Sequence, residues 1–320
     1  MINEVVRVLF HSLNGILIIL VLIVVGYCLT QAGWFDERYS RITSKLVTQV
    51  ALPCYMINTI TSQFSRDELI RTFPDLKFPI LSMILLFLVS YLCQFIFRIS
   101  PQHRGLFKSM FANSNTVFVG LPVNMALFGR ASLPYVLIYY MANTTFFWTL
   151  GVYLIRSDSD GEERFGWKEM LSKIFSPPLL GFIIGVILVL FNFQLPPFIE
   201  SDCRYIGSLT IPLSMFFIGM KLAEVGIQNI RFSRDMGGIF LGRFLLAPLL
   251  MFVLVKGATV PDIMKQVFVI QAAMPVMTNA PVVAKLYHAD SDYAAIMVTA
   301  TTILSLLIVP ILMGIVTTIF

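Results

Sequence analysis

Residues Gln266–Asp290, QVFVIQAAMPVMTNAPVVAKLYHAD, decide how the rest of the chain is interpreted. The segment is apolar enough to enter a membrane, yet prolines interrupt it at Pro275 and Pro281, and Thr278 and Asn279 lie between them. A proline inside a helix removes a backbone donor and clashes with the carbonyl four residues earlier. Lipid tolerates opened backbone only where it is buried in protein or faces a wet cavity. The segment therefore predicts two half-helices that meet at a polar break.

The composition of the chain is that of an integral membrane protein. Of its 320 residues, 57% are hydrophobic and only 13% are charged, and the mean hydropathy is +0.82. A soluble protein would be about a quarter charged, and a spanning helix needs roughly 20 apolar residues. An all-α fold of ten transmembrane helices is predicted, the first of them a retained span rather than a signal peptide. The apolar runs are 13–32, 42–63, 78–97, 104–129, 133–155, 174–192, 203–222, 237–256, 263–288 and 292–319.

The distribution of Lys and Arg predicts the orientation of these spans. With the N-terminus outside the cell, 14 of the 23 basic residues fall in inner segments, 8 fall in outer segments, and Arg243 lies within a span. Inner loops of membrane proteins carry the excess of positive charge. Both termini are therefore predicted to be extracytoplasmic and the central loop cytoplasmic, in the cell membrane. The net charge of +5 is interpreted as this topology signal and not as a nucleic-acid-binding surface.

The polar segment 156–173 divides the chain into two halves, 1–155 and 174–320. Five spans in each half, joined by a linker on the inner side, force the halves to be inverted relative to each other. The prolines agree with such a repeat, because the offset in sequence from Pro53 to Pro212 equals the offset from Pro122 to Pro281. The sequence thus predicts two inverted five-helix repeats.

Span four is predicted to be broken in the same way as span nine. Residues from Arg104 to the polar run at 113–116 make about 18 Å of helix at roughly 1.5 Å per residue. That length is near half of the roughly 30 Å hydrocarbon core, as is the helix before Pro275. The two broken helices are therefore expected to cross at mid-membrane. The break residues are Gly120, Pro122, Pro275 and Pro281.

Neutral polar side chains at the two breaks form the predicted binding site. In a continuous helix Gln271, Thr278 and Asn279 would share one face. The N-terminal ends of the second half-helices add unpaired N–H groups, which suit a small anion such as a carboxylate. The alternative is that these side chains cap broken helices and bridge spans. The predicted substrate contacts are Asn113, Asn115, Thr116, Gln271, Thr278 and Asn279.

The placement of charge limits the coupling mechanism. All Asp and Glu residues lie in loops or at span ends, whereas a carboxylate proton relay would need one inside the membrane. Two coupling ions stay possible. One is a proton carried by the substrate acid, and the other is a Na⁺ bound by amides, hydroxyls and opened carbonyls. Arg243 and Lys285 are predicted anion or gate contacts, with snorkelling to the interface as the alternative.

Other classes of site have weaker support. The histidines are far apart and lie in no metal-ligand or catalytic pattern, so neither catalytic residues, a metal site nor an organic cofactor is predicted. The four cysteines are interpreted as small core residues. A membrane sensor that binds a ligand without moving it is an alternative, although the chain lacks the large soluble output domain that would favour it.

Two motifs resemble a known family. Asn115-Thr116, Gly120-Leu121-Pro122 and Phe128-Gly129 resemble one signature of the auxin efflux carrier family, and Gln271–Pro275 with Pro281, Lys285 and Tyr287 resembles another. The resemblance implies a scaffold domain, a transport domain, elevator-like alternating access and a homodimer. The short central loop is similar to that of bacterial members, which are associated with malate, malonate and similar dicarboxylates. Bile acid symporters, which couple to sodium, share the crossed-helix architecture and offer a second analogy.

Overall fold

The computed structural model describes residues 2–158, 177–226 and 232–320, so most of the predicted linker 156–173 lies outside the described residues. Within these ranges the regular structure is helical apart from one isolated bridge. The α-helices are α1 (Ile2–Gln31), α2 (Glu37–Leu46), α3 (Leu52–Gln63), α4 (Arg66–Thr72), α5 (Lys77–Ile96), α6 (Arg104–Ala112), α7 (Gly120–Phe128), α8 (Leu133–Phe146), α9 (Val152–Arg156), α10 (Pro177–Leu190), α11 (Pro197–Ser208), α12 (Thr210–Val225), α13 (Arg234–Leu241), α14 (Ala247–Lys256), α15 (Asp262–Ala272), α16 (Ala280–Leu286) and α17 (Ser291–Ile319).

Several helices join into longer rods. Single π-helical turns connect α2 to α3, α8 to α9 and α13 to α14, and five rods in the described chain are long and apolar enough to cross a membrane. Two further apolar helices, Leu17–Gln31 and Pro177–Leu190, are shorter. The five long rods are Leu69–Ile96, Gly120–Arg156, Pro197–Val225, Arg234–Lys256 and Ser291–Ile319.

Both predicted breaks are present, with different boundaries. α6 ends at Ala112 and α15 ends at Ala272, so the first half-helices stop slightly earlier than the sequence suggested. The breaks have the same length, 113–119 in one case and 273–279 in the other. Because α15 stops before Pro275, Gln271 does not share a helical face with Thr278 and Asn279.

The helices pack in two groups. The first group contains α1, α2, α3, α10, α11 and α12, with α1 lying along α12 and α10 lying along α3. Glycine permits backbone contact here, since a Cβ on Gly219 would overlap backbone atoms of α1, and one on Gly181 would do the same against Pro53. The second group contains α5 to α9 and α13 to α17 and holds the largest cluster of buried apolar side chains.

Candidate functional site

The two breaks cross each other as short antiparallel segments. Ser114 and Val276 form an isolated antiparallel bridge, and the N–H of Asn115 donates to the carbonyl of Pro275 at 2.8 Å. Backbone that has left a helix must find partners inside a membrane protein. Each break therefore supplies some of the backbone hydrogen-bond partners that the other break has lost by leaving the helix.

Side chains from neighbouring helices pair with the rest of the crossing. Asn143 of α8 accepts from the N–H of Ser114 at 2.9 Å and donates to its carbonyl at 2.8 Å. The hydroxyl of Thr301 in α17 accepts from the N–H of Val276 at 3.1 Å. These fully buried groups hold the breaks in extended form.

The prolines begin the second half-helices instead of interrupting a continuous one. Pro122 and Pro281 lie in the first turns of α7 and α16, where the missing N–H has no intrahelical partner to lose. Pro275 lies in the break itself. A Cβ on Gly120, the first residue of α7, would overlap the terminal amide of Gln271, so that buried side chain would have to move.

A cavity of about 430 Å³ lies at the crossing, between the two helix groups. The first group contributes residues of the α2–α3 rod and of α10, and the second contributes α8 and both breaks. The lining residues from the first group are Ser44, Thr48, Gln49, Leu52, Pro177 and Pro178. The lining includes no Asp, Glu, Lys or Arg among the described residues, so it offers neutral amides, hydroxyls and aromatic rings. Its volume falls in the range of roughly 300–1,000 Å³ that is usual for small-molecule sites. The lining residues from the second group are Asn115, Thr116, Val117, Phe118, Tyr140, Thr144, Trp148, Met277, Thr278, Asn279 and Val282.

Four of the six predicted substrate contacts line this cavity, and two do not. Asn115, Thr116, Thr278 and Asn279 are brought together as the sequence suggested. Asn113 is instead fully buried, with its amide donating to the carbonyl of Ser109. The remaining candidate, Gln271, is fully buried too and donates to the carbonyl of Thr116 at 3.3 Å.

The side-chain amide of Asn115 has a hydrogen-bonded oxygen and an unpaired nitrogen. Its side-chain oxygen accepts from the N–H of Phe118 at 3.1 Å, which caps the turn before α7. Its amide nitrogen is buried and has no hydrogen-bond partner among the described residues. Asn279 precedes α16 without capping it. Both side chains thus retain polar groups for a ligand.

Arg243 was predicted to contact an anion or to snorkel to the membrane interface, and the structure shows neither arrangement. It is fully buried in the π-helical turn between α13 and α14 and lines none of the described cavities around the crossing. Its guanidinium donates to carbonyls of Phe111, Ala112, Ala272 and Met274. All four of these hydrogen bonds are made to protein at the crossing, so the guanidinium is not available to a substrate.

The cavity at the crossing adjoins another cavity on the side of Lys285. This second cavity, of about 520 Å³, shares Ser44, Thr278, Asn279 and Val282 with it and extends to exposed Lys285. On the opposite face a cavity of about 220 Å³ is lined by Arg130 and Arg204, and it shares no lining residue with the cavity at the crossing. We refer to these as the Lys285 face and the Arg130 face.

Sequence reasoning missed several residues of the site. Thr144, whose buried hydroxyl has no partner in the described part of the chain, lines the cavity, and Asn143 beside it clamps the break. A polar pair in the apolar span 133–155 was the available signal, since polar groups at membrane depth are costly without a function or a partner. Ser44, Thr48 and Gln49, which recur at helical spacing, gave a second signal.

Comparison with known proteins places these features in context. The profile of a family described as membrane transport protein matches residues 11–313. An uncharacterised transporter from Methanocaldococcus jannaschii, MJ1031, is 27% identical over 304 residues, which cover 93% of this chain and 96% of that protein. An uncharacterised transporter from Methanothermobacter thermautotrophicus is 28% identical over 314 residues, with the same coverage. Uncharacterised transporter YfdV of Escherichia coli K12 is 22% identical over 285 residues, covering 86% of this chain and 88% of YfdV.

Proposed function

The chain belongs to the membrane transport protein family, the auxin efflux carriers, and is a multi-pass membrane transporter; on this premise we propose that it is a secondary transporter of a small organic anion. Dicarboxylates such as malate and malonate are the first candidates, and other weak acids follow. The observation that carries the proposal is the neutral polar cavity where the two broken helices cross. Secondary transporters hold their substrates between such half-helices.

The proposed architecture is two inverted five-helix repeats, 1–155 and 174–320. Three features support it. The two breaks have equal length, and each is followed by a half-helix with a proline in its first turn. They meet through an antiparallel bridge, as a two-fold relation between inverted halves would produce. The side chains that clamp them, Asn143 and Thr301, lie at similar positions in the last span of each half.

Elevator-type movement is proposed for the second helix group. The first group would act as the scaffold, because its glycines bring helix backbones into direct contact. The cavity lies between the groups, and among the described cavities it shares lining residues with the one on the Lys285 face and not with the one on the Arg130 face. Sliding of the second group would close the cavity toward the Lys285 face and connect it with the Arg130 face.

The proposed location is the cell membrane, with the Lys285 face toward the cytoplasm and both termini outside. The excess of Lys and Arg in the segments on that side supports this orientation. In this orientation, the shared lining of the cavity at the crossing and the cavity near Lys285 supports an inward-facing state. Lys285 is exposed and forms no ion pair among the described residues, and it would attract anions to the opening. The same cavity also contains Asp292 and the paired carboxylates of Glu37 and Glu224, so this attraction would act locally at Lys285.

Recognition of the substrate is assigned to amide and hydroxyl donors. Asn115, Asn279 and Thr144 line the same cavity, and the amide nitrogen of Asn115 and the hydroxyl of Thr144 have no hydrogen-bond partner among the described residues. Hydrogen bonds from neutral donors to an ionised acceptor are stronger than those between neutral groups. A carboxylate would satisfy donors that the protein leaves unpaired.

Uptake into proteoliposomes by two single variants tests this site. Asn279→Ala removes a side chain that caps no helix, and Asn115→Asp keeps the acceptor for the Phe118 N–H while exchanging the free donor for a charge that repels anions. Both are expected to lose uptake of labelled malate or malonate. Asn279→Ala should unfold at the wild-type temperature, whereas Asn115→Asp should unfold at a lower one because it buries a charge. Asn192→Asp, the same exchange in an exposed loop, is the control. Wild-type uptake by both site variants would contradict the assignment.

The same panel separates the alternatives. An indole carboxylic acid in the panel tests whether Trp148 and Tyr140 in the lining favour an aromatic acid. A requirement for sodium would favour the analogy to bile acid symporters. Binding of a ligand without uptake would favour a sensor. The homodimer implied by the family resemblance stays a prediction, which mass determination of the detergent-solubilised protein would check.

A further inference from the structure

Arg243 lies where the ends of the two first half-helices converge. Its Nη1 donates to the carbonyls of Phe111 and Ala112 at 3.1 and 2.8 Å, at the end of α6. Nη2 donates to the carbonyl of Ala272, the last residue of α15, and Nε donates to that of Met274 at 3.1 Å. One guanidinium therefore serves the C-terminal ends of both helices.

These carbonyls carry the negative ends of two helix dipoles. The last carbonyls of a helix have no intrahelical donor, and together they amount to about half a negative charge per helix. Two such ends close together in a membrane repel each other and are costly to leave unpaired. A cation between them removes both costs.

The positive charge of Arg243 is balanced by carbonyls alone. No acidic side chain forms an ion pair with it among the residues that the structure describes. The turn that carries Arg243 lies close to the end of α6, because Gly242 packs so tightly on the ring of Phe111 that no Cβ would fit. The π-helical turn at Gly242–Leu246 places the side chain toward the crossing.

We infer that Arg243 is a resident cation that takes the place of a coupling Na⁺ at the crossing, so that this transporter works without sodium. In sodium-coupled carriers, opened carbonyls and half-helix C-terminal ends hold the ion. Here a guanidinium, which stays charged at any physiological pH, already occupies those oxygen atoms. A second cation beside it would meet repulsion and would find these four carbonyls already engaged.

Thermal unfolding of the purified protein tests this role without any assumption about the substrate. The wild type is expected to unfold at the same temperature in sodium chloride and in choline chloride. Arg243→Ala is expected to unfold at a lower temperature and to be stabilised by methylguanidinium, but not by N-methylurea, which has a similar shape and no charge. Arg204→Ala, at an exposed arginine away from the crossing, should respond to neither compound.

Two further variants keep the test decisive if Arg243→Ala does not fold. Arg243→Lys retains a charge and is expected to fold, whereas Arg243→Gln leaves the carbonyls without a cation and is expected to be less stable than Arg243→Lys. Equal stability of the Lys and Gln variants would overturn the inference. So would stabilisation of the wild type by sodium, or equal rescue of Arg243→Ala by the charged and uncharged compounds.

Uptake provides the second readout, and it alone rests on the proposed transport of an anion. Wild-type proteoliposomes are expected to accumulate substrate at the same rate when choline replaces sodium on both sides. A faster rate in sodium would overturn the inference. If no acid of the panel is taken up, the proposed function fails while the unfolding experiments still decide the role of Arg243.

Discussion

The backbone N–H of Asn115 and the carbonyl of Pro275 are joined by a hydrogen bond of 2.8 Å, although the two residues belong to opposite halves of the chain. Each residue lies in a break whose own helix offers no partner. The bond therefore exists only when both halves of the chain are folded and crossed. Stability of the crossing and integrity of the binding cavity are consequently linked, because Asn115 also lines the cavity.

Asn143→Leu is expected to destabilise the protein by several kcal/mol. The substitution leaves the buried N–H and carbonyl of Ser114 without their side-chain partner, and each unsatisfied buried group costs about 1–3 kcal/mol. Thermal unfolding in detergent measures the change. Thr145→Ala, at an exposed position of α8, is the control. Equal unfolding temperatures for the two variants would show that Asn143 does not hold the break.

Lys285→Gln is expected to raise KM for anion uptake severalfold and to leave kcat nearly unchanged. The exposed ammonium lies in the opening of the cavity and not at the crossing, so its attraction acts on the approach of the substrate. Lys285→Arg should retain the wild-type KM, and added salt should reduce the difference between wild type and Lys285→Gln. Lys256→Gln, at an exposed lysine at the end of α14, serves as the control. An unchanged KM for Lys285→Gln at low salt would remove Lys285 from the entry route.

Asp158→Asn is expected to weaken the dependence of stability on pH. The Asp158 carboxylate accepts from the N–H groups of Gly105 and Leu106 at 2.7 Å each and caps α6, and burial raises its pKa from 3.8 to about 6 despite these bonds. A pKa that is higher in the folded state means that the folded chain binds this proton more tightly. The resulting stabilisation is complete below about pH 4 and is lost as the pH rises through about 6.

Unfolding temperatures measured from about pH 4 to pH 7 check this. Over that interval the wild type should lose more stability with rising pH than Asp158→Asn, whose amide does not titrate. Asp67→Asn removes an exposed carboxyl and should follow the wild type. Parallel curves for wild type and Asp158→Asn would mean that this carboxyl is not the group responsible.

The broken helices could be predicted from the sequence because a helix break depends on residues that are close together in the chain. Prolines, glycine and amides at membrane depth are visible in one segment at a time, and the shared offset of the proline pairs linked the segment around Pro122 with the one around Pro281. The polar lining at Asn115 and Asn279 followed from the same pattern. The ends of the helices were predicted less accurately. A helix can end where tertiary partners such as Asn143 form hydrogen bonds with the backbone that follows it.

The role of Arg243 was not readable from the sequence because it depends on distant groups. A lone arginine in an apolar span suggests an anion site or a snorkelling side chain, and both suggestions use only its charge. Its partners are main-chain carbonyls that are remote in the chain and become available only where two helices end. Every residue has a backbone carbonyl, so no sequence motif indicates which carbonyls will accept hydrogen bonds from an arginine.

Gly219→Ala is expected to destabilise the first helix group while leaving the affinity for substrate unchanged. A Cβ at this position would overlap the carbonyl oxygen of Ile23 and would lie 2.7 Å from the backbone nitrogen of Tyr27. Main-chain atoms cannot rotate away as a side chain does, so α1 and α12 would have to separate. Overpacking of this kind costs about 1–3 kcal/mol, and thermal unfolding would measure it.

Gly257→Ala is the matched control, because a Cβ there meets nothing within 4 Å and should leave stability nearly unchanged. The fraction of Gly219→Ala that folds is expected to take up substrate with the wild-type KM, since Gly219 lines none of the described cavities around the crossing. A changed KM would mean that the spacing of α1 and α12 is transmitted to the binding cavity. In that case the first helix group would not be the rigid scaffold that elevator movement requires, and movement within that group would have to be part of the transport cycle.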